Sequence, residues 1–244
     1  MTRLLTLALL LPLAACGAGD DAASKITVLA AASLTESFTT LAEEFEREHE
    51  DVEVELAFDS SATLAEQAVG GAPADVLATA DTATMDSAAD ALAADPEIFA
   101  TNTMVLVTPA DNPAGITSYD DLATGDVTYV VCVDTAPCGK VAATLIAATG
   151  LAAEPASLEV DVKSVLAKVI SGEADAGLVY ATDAVAAGAA VQTFEIPGAA
   201  EVVTTYPIAP LDQSEEADLA QEFVDLVLAE SGQQILRDAG FGTP

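Results

Sequence analysis

Two serine sites stand where this chain could do chemistry. In LAAASLTESF (29–38), Ser33 follows an apolar β-type run and opens a helical one, and in FDSSATLAEQ (58–67) Ser60 and Ser61 occupy the same kind of junction. A hydroxyl at a helix start, with the first N–H groups that lack intrahelical acceptors, can donate to one oxyanion, and the helix dipole favours negative charge there. The same residues also suit plain capping: Ser33 and Glu36 have capping-box spacing, and Ser60 or Ser61 could simply cap its helix. Catalysis asks for more. The chain has one histidine, His49, at a polar helix end where it reads as solvated, and no G-x-S-x-G. Glu36 and Asp59 are the only acids beside the serines, and nothing in their placement sets a proton acceptor on either hydroxyl. TAPCGKVA (135–142) imitates a phosphate loop but lacks its first glycine and the Ser/Thr after the lysine. No cysteine or acid spacing fits a zinc or calcium site.

The elements that position these serines follow from periodicity. KITVLAA (25–31), VEVELAF (52–58) and ADVLATA (74–80) read as strands. Between them lie a helix over TESFTTLAEEFEREH, with Phe38, Leu41, Ala42 and Phe45 on one stripe, and a shorter helix over 63–71. This β-α-β-α-β order predicts a parallel sheet, with both serine junctions on the same edge. A second series of strands follows at 103–113, 127–133, 159–162 and 176–180, with helices over 139–150 and 162–172, and a last extended segment lies at 202–211. The closing helices, with Phe223, Leu226 and Val227 inward, have no strands of their own and must return to the first half. Two crossings result, near 104–108 and 203–207, forming a hinge with a cleft between two α/β lobes.

Bulk properties narrow the partners. The 244 residues are 52% hydrophobic, enough for a real core, while 40 acidic residues face seven basic ones for a formal charge of −33. Such a chain has no basic face for nucleic acid; the acidity reads as a solvated surface. At the N-terminus, Arg3 precedes an apolar run from Leu4 to Ala15, too short for a comfortable membrane span and of signal-peptide shape. Leu13-Ala14-Ala15-Cys16 resembles a bacterial lipobox, implying cleavage before Cys16 and a lipid on its thiol, with residues 16–24 as a tether. In an exported chain Cys132 and Cys138 read as a short-loop disulfide, with two buried thiols as the alternative.

ITVLAAASLTESF, SSATLAEQ with GAPADVLATAD, AGLVYATDA and the terminal GQQILRDAGF closely resemble the molybdate-binding proteins of bacterial ABC molybdate importers, over essentially residues 25–244. The resemblance implies a two-lobed periplasmic-binding-protein-like (type II) α/β fold, each lobe a mixed sheet flanked by helices, joined by a two-strand hinge. Lobe 1 is expected over 25–104 plus 207–244 and lobe 2 over 105–206. It further implies a monomer outside the cytoplasmic membrane, held only by its lipid, that delivers molybdate or tungstate to a permease without a cofactor. The anion would be held by neutral donors: the hydroxyls and N–H groups of Ser33 and Ser61, the N–H groups of Cys138 and Val162, and the hydroxyl of Tyr180. Cys138 stands where the family pattern has alanine, a change that leaves its backbone donor intact. Lys140 and Lys163 fall beside two of these donors and are expected to form a positive rim. Another oxyanion (sulfate, phosphate), ferric iron, or a hydrolase on the same scaffold are the competing functions. Iron would want paired tyrosines and acids, of which only Tyr180 is well placed.

Overall fold

A computed structural model describes residues 24–124 and 126–244. The expected leader (1–15), Cys16 and most of the expected tether lie outside the described residues; Ser24, at the tether's end, is already the first residue of a strand.

The first lobe opens with β1 (Ser24–Ala31), a one-turn 3-10 segment (Ala32–Leu34) and α1 (Thr35–Glu48). Then come β2 (Val52–Asp59), α2 (Ser61–Val69), β3 (Val76–Ala78), α3 (Thr82–Ser87) and β4 (Glu97–Asn102). β1 lies between β2 and β3 and is parallel to both. That placement is why its inner residues Ile26, Val28 and Ala30 are fully buried. In parallel neighbours the carboxyl ends share one edge, so Ser33 and Ser61 emerge on the same side.

Thr103 carries the chain into the second lobe. There β5 (Met104–Pro109), β6 (Tyr129–Cys132), α4 (Pro137–Thr149), β7 (Ser157–Glu159), α5 (Val162–Ile170), β8 (Ala176–Tyr180), α6 (Ala181–Ala187) and β9 (Val191–Glu195) form a sheet of order β7-β6-β8-β5-β9 with its flanking helices. β6 is parallel to β7 and β8; β5 runs antiparallel to β8 and β9. β10 (Thr204–Pro210) returns to the first sheet, antiparallel between β3 and β4, and α7 (Ala217–Leu228) and α8 (Glu230–Asp238) close the chain.

Both sheets are therefore mixed, in the two-lobed α/β architecture expected. The pairing shifts the expected lobe limits slightly: Met104 already pairs with Tyr180 in the second sheet, and Thr204–Tyr206 already pair in the first. EVDV does not extend as a strand through 162, because Asp161 accepts from the Ser164 N–H at 2.7 Å and caps α5 instead. β4 and β9 were not anticipated. α7 does return to the first lobe, where Phe223 meets Phe38 and Phe45 at centroid distances of 6.1 and 5.5 Å. His49 is not simply solvated: it stacks on Phe45 at 4.2 Å, with Glu222 3.6 Å away.

Candidate functional site

The carboxyl edges of the two sheets face each other across a small cavity, about 220 Å³ of space including its mouth. Ser33 and Ser61 line it from the first lobe, and Cys138, Val162 and Tyr180 from the second. The five residues singled out in the sequence thus lie around one space, and all are at least 96% buried.

Ser33 does not cap α1. The 3-10 turn moves the N-cap of α1 to Leu34, which makes no side-chain cap, and Glu36 turns away to Lys163. The Ser33 hydroxyl instead lies 2.9 Å from the Tyr206 hydroxyl. Ser61 begins α2, whose N-cap Ser60 makes no side-chain bond, and the Ser61 Oγ accepts from the Ala80 N–H at 3.0 Å. α4 begins with Pro137, which has no N–H; Gly139 and Lys140 both donate to the Ala136 carbonyl. That leaves the Cys138 N–H without a partner among the described residues, and the Val162 N–H at the start of α5 is likewise free. Such helix-start groups carry partial positive charge and no obligation elsewhere in the fold.

Two features hold α4 where it is. Cys132 at the end of β6 is disulfide-bonded to Cys138 in the first turn of α4. Gly139 lies so close to the β6 end that a Cβ there would come within 1.8 Å of the Val133 carbonyl oxygen. Only a residue without a side chain permits this approach.

Tyr180 is the last residue of β8, and its hydroxyl is buried with no hydrogen-bond partner among the described residues. Burial, with Tyr206, Asp183 and Asp81 adding to it and the nearby Thr204 hydroxyl opposing it, pushes its phenol well above the usual range, so the group stays neutral and remains a donor. Leaving such a hydroxyl unpaired costs about 1–3 kcal/mol, which a ligand oxygen would relieve.

No lysine or arginine lines the cavity. Lys140 and Lys163 do not form a free rim, because each reaches across to the first lobe. Lys140 donates to Asp81 at 2.8 Å and to Thr84 at 3.3 Å. Lys163 donates to both oxygens of Glu36 at 2.8 Å and lies 3.1 Å from Asp183. The Lys163–Asp183 pair pulls in opposite senses. Although burial works against its charge, three carboxylate oxygens nearby raise the Lys163 pKa, whereas for Asp183 complete burial outweighs the one ammonium and pushes the carboxyl up to about 6. The cavity acids Asp59 and Asp161 are engaged by the backbone N–H groups of Ser60 and Ser164. No group of three His, Cys, Asp or Glu able to hold a metal ion occurs among the described residues. The arrangement can therefore bind an acceptor-rich anion by dipoles, and it holds no base aimed at a hydroxyl.

Sequence reasoning missed Tyr206, whose hydroxyl meets that of Ser33, and Asn102, which donates to Tyr206. Tyr206 reads in the sequence as one more strand aromatic in an apolar run, and only the return of β10 to the first sheet brings it there.

Residues 26–242 match the family of bacterial extracellular solute-binding proteins. The molybdate-binding protein ModA of Mycobacterium tuberculosis is 44% identical, the match covering 100% of this chain and 97% of that protein. The substrate-binding domain of a molybdenum ABC transporter from Clostridium difficile superposes with a TM-score of 0.68 at 28% identity, over 91% of this chain and 99% of that one. The periplasmic molybdate-binding protein of Azotobacter vinelandii shares the fold at a TM-score of 0.79 and 20% identity, over 90% and 99%. A binding cleft built of helix starts and a relative this similar along the whole chain lead to one assignment: this chain belongs to the bacterial extracellular solute-binding proteins, in the group that contains the ModA proteins.

Proposed function

We propose that the protein captures molybdate, and tungstate with it, outside the cytoplasmic membrane and delivers it to the permease of an ABC importer. In this reading Cys16 carries the lipid that tethers the protein to the membrane surface, and the protein works as a monomer. Two lobes, meeting near Thr103 and in the segment before β10, close over the anion. Ser33 and Ser61 donate through hydroxyl and N–H, Cys138 and Val162 through N–H, and Tyr180 through its phenol.

The observation that carries the reading is the set of unspent donors around one cation-free cavity, above all the buried, unpartnered hydroxyl of Tyr180. A fully deprotonated tetrahedral dianion presents only acceptors and matches a shell of donors. An anion that carries a proton sets donor against donor. A buried lysine would cost desolvation and hold many anions with little discrimination. The names of the relatives point to the same ligand.

The test is thermal unfolding of the mature protein with molybdate, tungstate, sulfate, phosphate and Fe³⁺ in turn. A large upward shift for the first two alone supports the reading, since only a ligand of the folded state raises the transition. An equal shift with sulfate or Fe³⁺, or none with molybdate, overturns it.

A further inference from the structure

The hydroxyl of Ser33 can serve an anion only if its proton points into the cavity, and the groups behind it decide that. Asn102 ends β4, at one hinge strand, and its Oδ1 accepts the Thr103 N–H at 3.0 Å. A backbone N–H can only donate, so the orientation of the Asn102 amide is fixed and its Nδ2 must face the other way. There it donates to the Thr182 Oγ1 at 2.9 Å and to the Tyr206 hydroxyl at 3.4 Å. Tyr206 lies on β10, the other hinge strand, and is fully buried. Having accepted from Asn102, it has one proton to place, and the Ser33 Oγ at 2.9 Å is the remaining partner. Ser33 therefore accepts from Tyr206, and its own proton is left for the cavity. The order of donation then runs from the Thr103 N–H through Asn102 and Tyr206 to Ser33. Ser61 obtains the same polarity more simply, from the Ala80 N–H.

We infer that Tyr206, oriented by Asn102, is a positioning residue that fixes Ser33 as a donor and so makes the cavity select oxyanions that carry no proton. This rests on the oxyanion reading above and adds to it two residues that touch no ligand. Because Asn102 also donates to Thr182 of α6, two residues beyond Tyr180, it links the Ser33 relay to the second lobe. Without the Tyr206 proton, Ser33 is free to accept from a ligand as well as to donate.

The experiment compares molybdate with hydrogen phosphate at pH 8 by titration calorimetry. Most of the phosphate is then the dianion, its second pKa lying somewhat below that pH, so overall charge largely cancels; anion size acts alike on wild type and variant, and the change in their affinity ratio between the two reads the donor pattern. Wild type is expected to favour molybdate strongly. Tyr206→Phe is expected to lower molybdate affinity roughly tenfold and to cut the molybdate-to-phosphate ratio by a similar factor. In a Ser33→Ala background the same change should alter molybdate affinity less than about twofold, since the proton it directs is gone. Asn102→Asp is the second variant: its carboxylate would draw the Tyr206 proton toward itself and reverse the relay, cutting the ratio without removing the Tyr206 hydroxyl. The inference is overturned if Tyr206→Phe and Ser33→Ala act independently, if neither variant changes the ratio, or if wild type itself binds hydrogen phosphate as well as molybdate. Failure of wild type to bind molybdate at all would instead refute the oxyanion reading.

Discussion

Tyr180→Phe separates a ligand donor from a core tyrosine, because the two roles predict opposite signs. The Tyr180 hydroxyl is buried with no hydrogen-bond partner among the described residues. Deleting it removes a desolvation cost of about 1–3 kcal/mol while leaving the ring and its edge contact with Tyr206, at 6.1 Å, in place. The unliganded variant should therefore unfold at the same temperature as wild type or higher. With ligand the balance reverses: one charge-assisted hydrogen bond to a dianion is lost, worth about 1.5–3 kcal/mol, or roughly a 10- to 150-fold loss of affinity. At a molybdate concentration of about 1,000 times the wild-type Kd, ligand stabilisation is about 4.1 kcal/mol; a 100-fold weaker variant keeps only about 1.4 kcal/mol under the same conditions. Thermal or denaturant unfolding with and without molybdate reads both quantities in one series. If the variant loses a kcal/mol or more without ligand and keeps the full molybdate shift, Tyr180 is a packing residue and the donor argument fails.

Asp183→Asn tests the buried carboxyl. Its folded pKa, about 6, lies above the ordinary value of 3.8. The folded state thus holds the proton more tightly than the unfolded one, and the stability this contributes is complete below pH 3.8 and lost as pH rises through 6. Over that window the wild-type-minus-variant difference in unfolding free energy should fall by about 3 kcal/mol with rising pH, and a flat difference would contradict it. Lys140→Gln with Lys163→Gln removes the two ion pairs that cross between the lobes, together with the Lys163–Asp183 pair inside the second lobe. Stopped-flow measurements should show faster molybdate release at low salt, with the excess fading near 1 M salt, where screening acts within about 3 Å; unchanged release would show that the pairs do not latch the cleft. Gly139→Ala forces α4 away from the Val133 carbonyl. It should cost about 1–3 kcal/mol in denaturant unfolding, as overpacking does, and weaken molybdate binding through the displaced Cys138 N–H.

The strands and the serine junctions were legible because their signals are local. Apolar β-branched runs ending at Ser33 and Ser61 specify a parallel sheet edge, and the stripe of Phe38, Leu41, Ala42 and Phe45 specifies the buried face of α1. What local signals could not supply was competition for each polar group. Ser33 and Glu36 have capping-box spacing, yet Glu36 is taken by a lysine 127 residues away and Ser33 by a tyrosine 173 residues away. Lys140 and Lys163 fall beside Cys138 and Val162 as the sequence indicates, but the carboxylates of Asp81 and Glu36, from the other lobe, engage them. β9 escaped notice because it is a sheet-edge strand with only Val191 buried, and so lacks a clear alternation.

These captured lysines explain how so acidic a molecule can be built to hold an anion. Each lysine and arginine among the described residues is in an ion pair: Lys25 with Glu55, Arg47 with Glu44, Lys140 with Asp81, Lys163 with Glu36 and Asp183, Lys168 with Glu159 and Arg237 with Glu230. With 40 acids against seven bases, a flexible cation left in the cleft would find a carboxylate before it found a ligand. Backbone N–H groups escape that competition only if nothing caps them. At α3 the Asp81 carboxylate does cap, accepting from the Thr84 N–H, whereas α7 and α8, away from the cavity, have no side-chain cap. At α1, α2 and α4 the N-cap residues Leu34, Ser60 and Ala136 make no side-chain bond. At α5 the Asp161 cap takes the Ser164 N–H and leaves that of Val162 open. A missing cap costs about 1 kcal/mol of helix stability. Forgoing it at three helix starts around one cavity keeps dipoles available that no side chain of this acidic surface can neutralise.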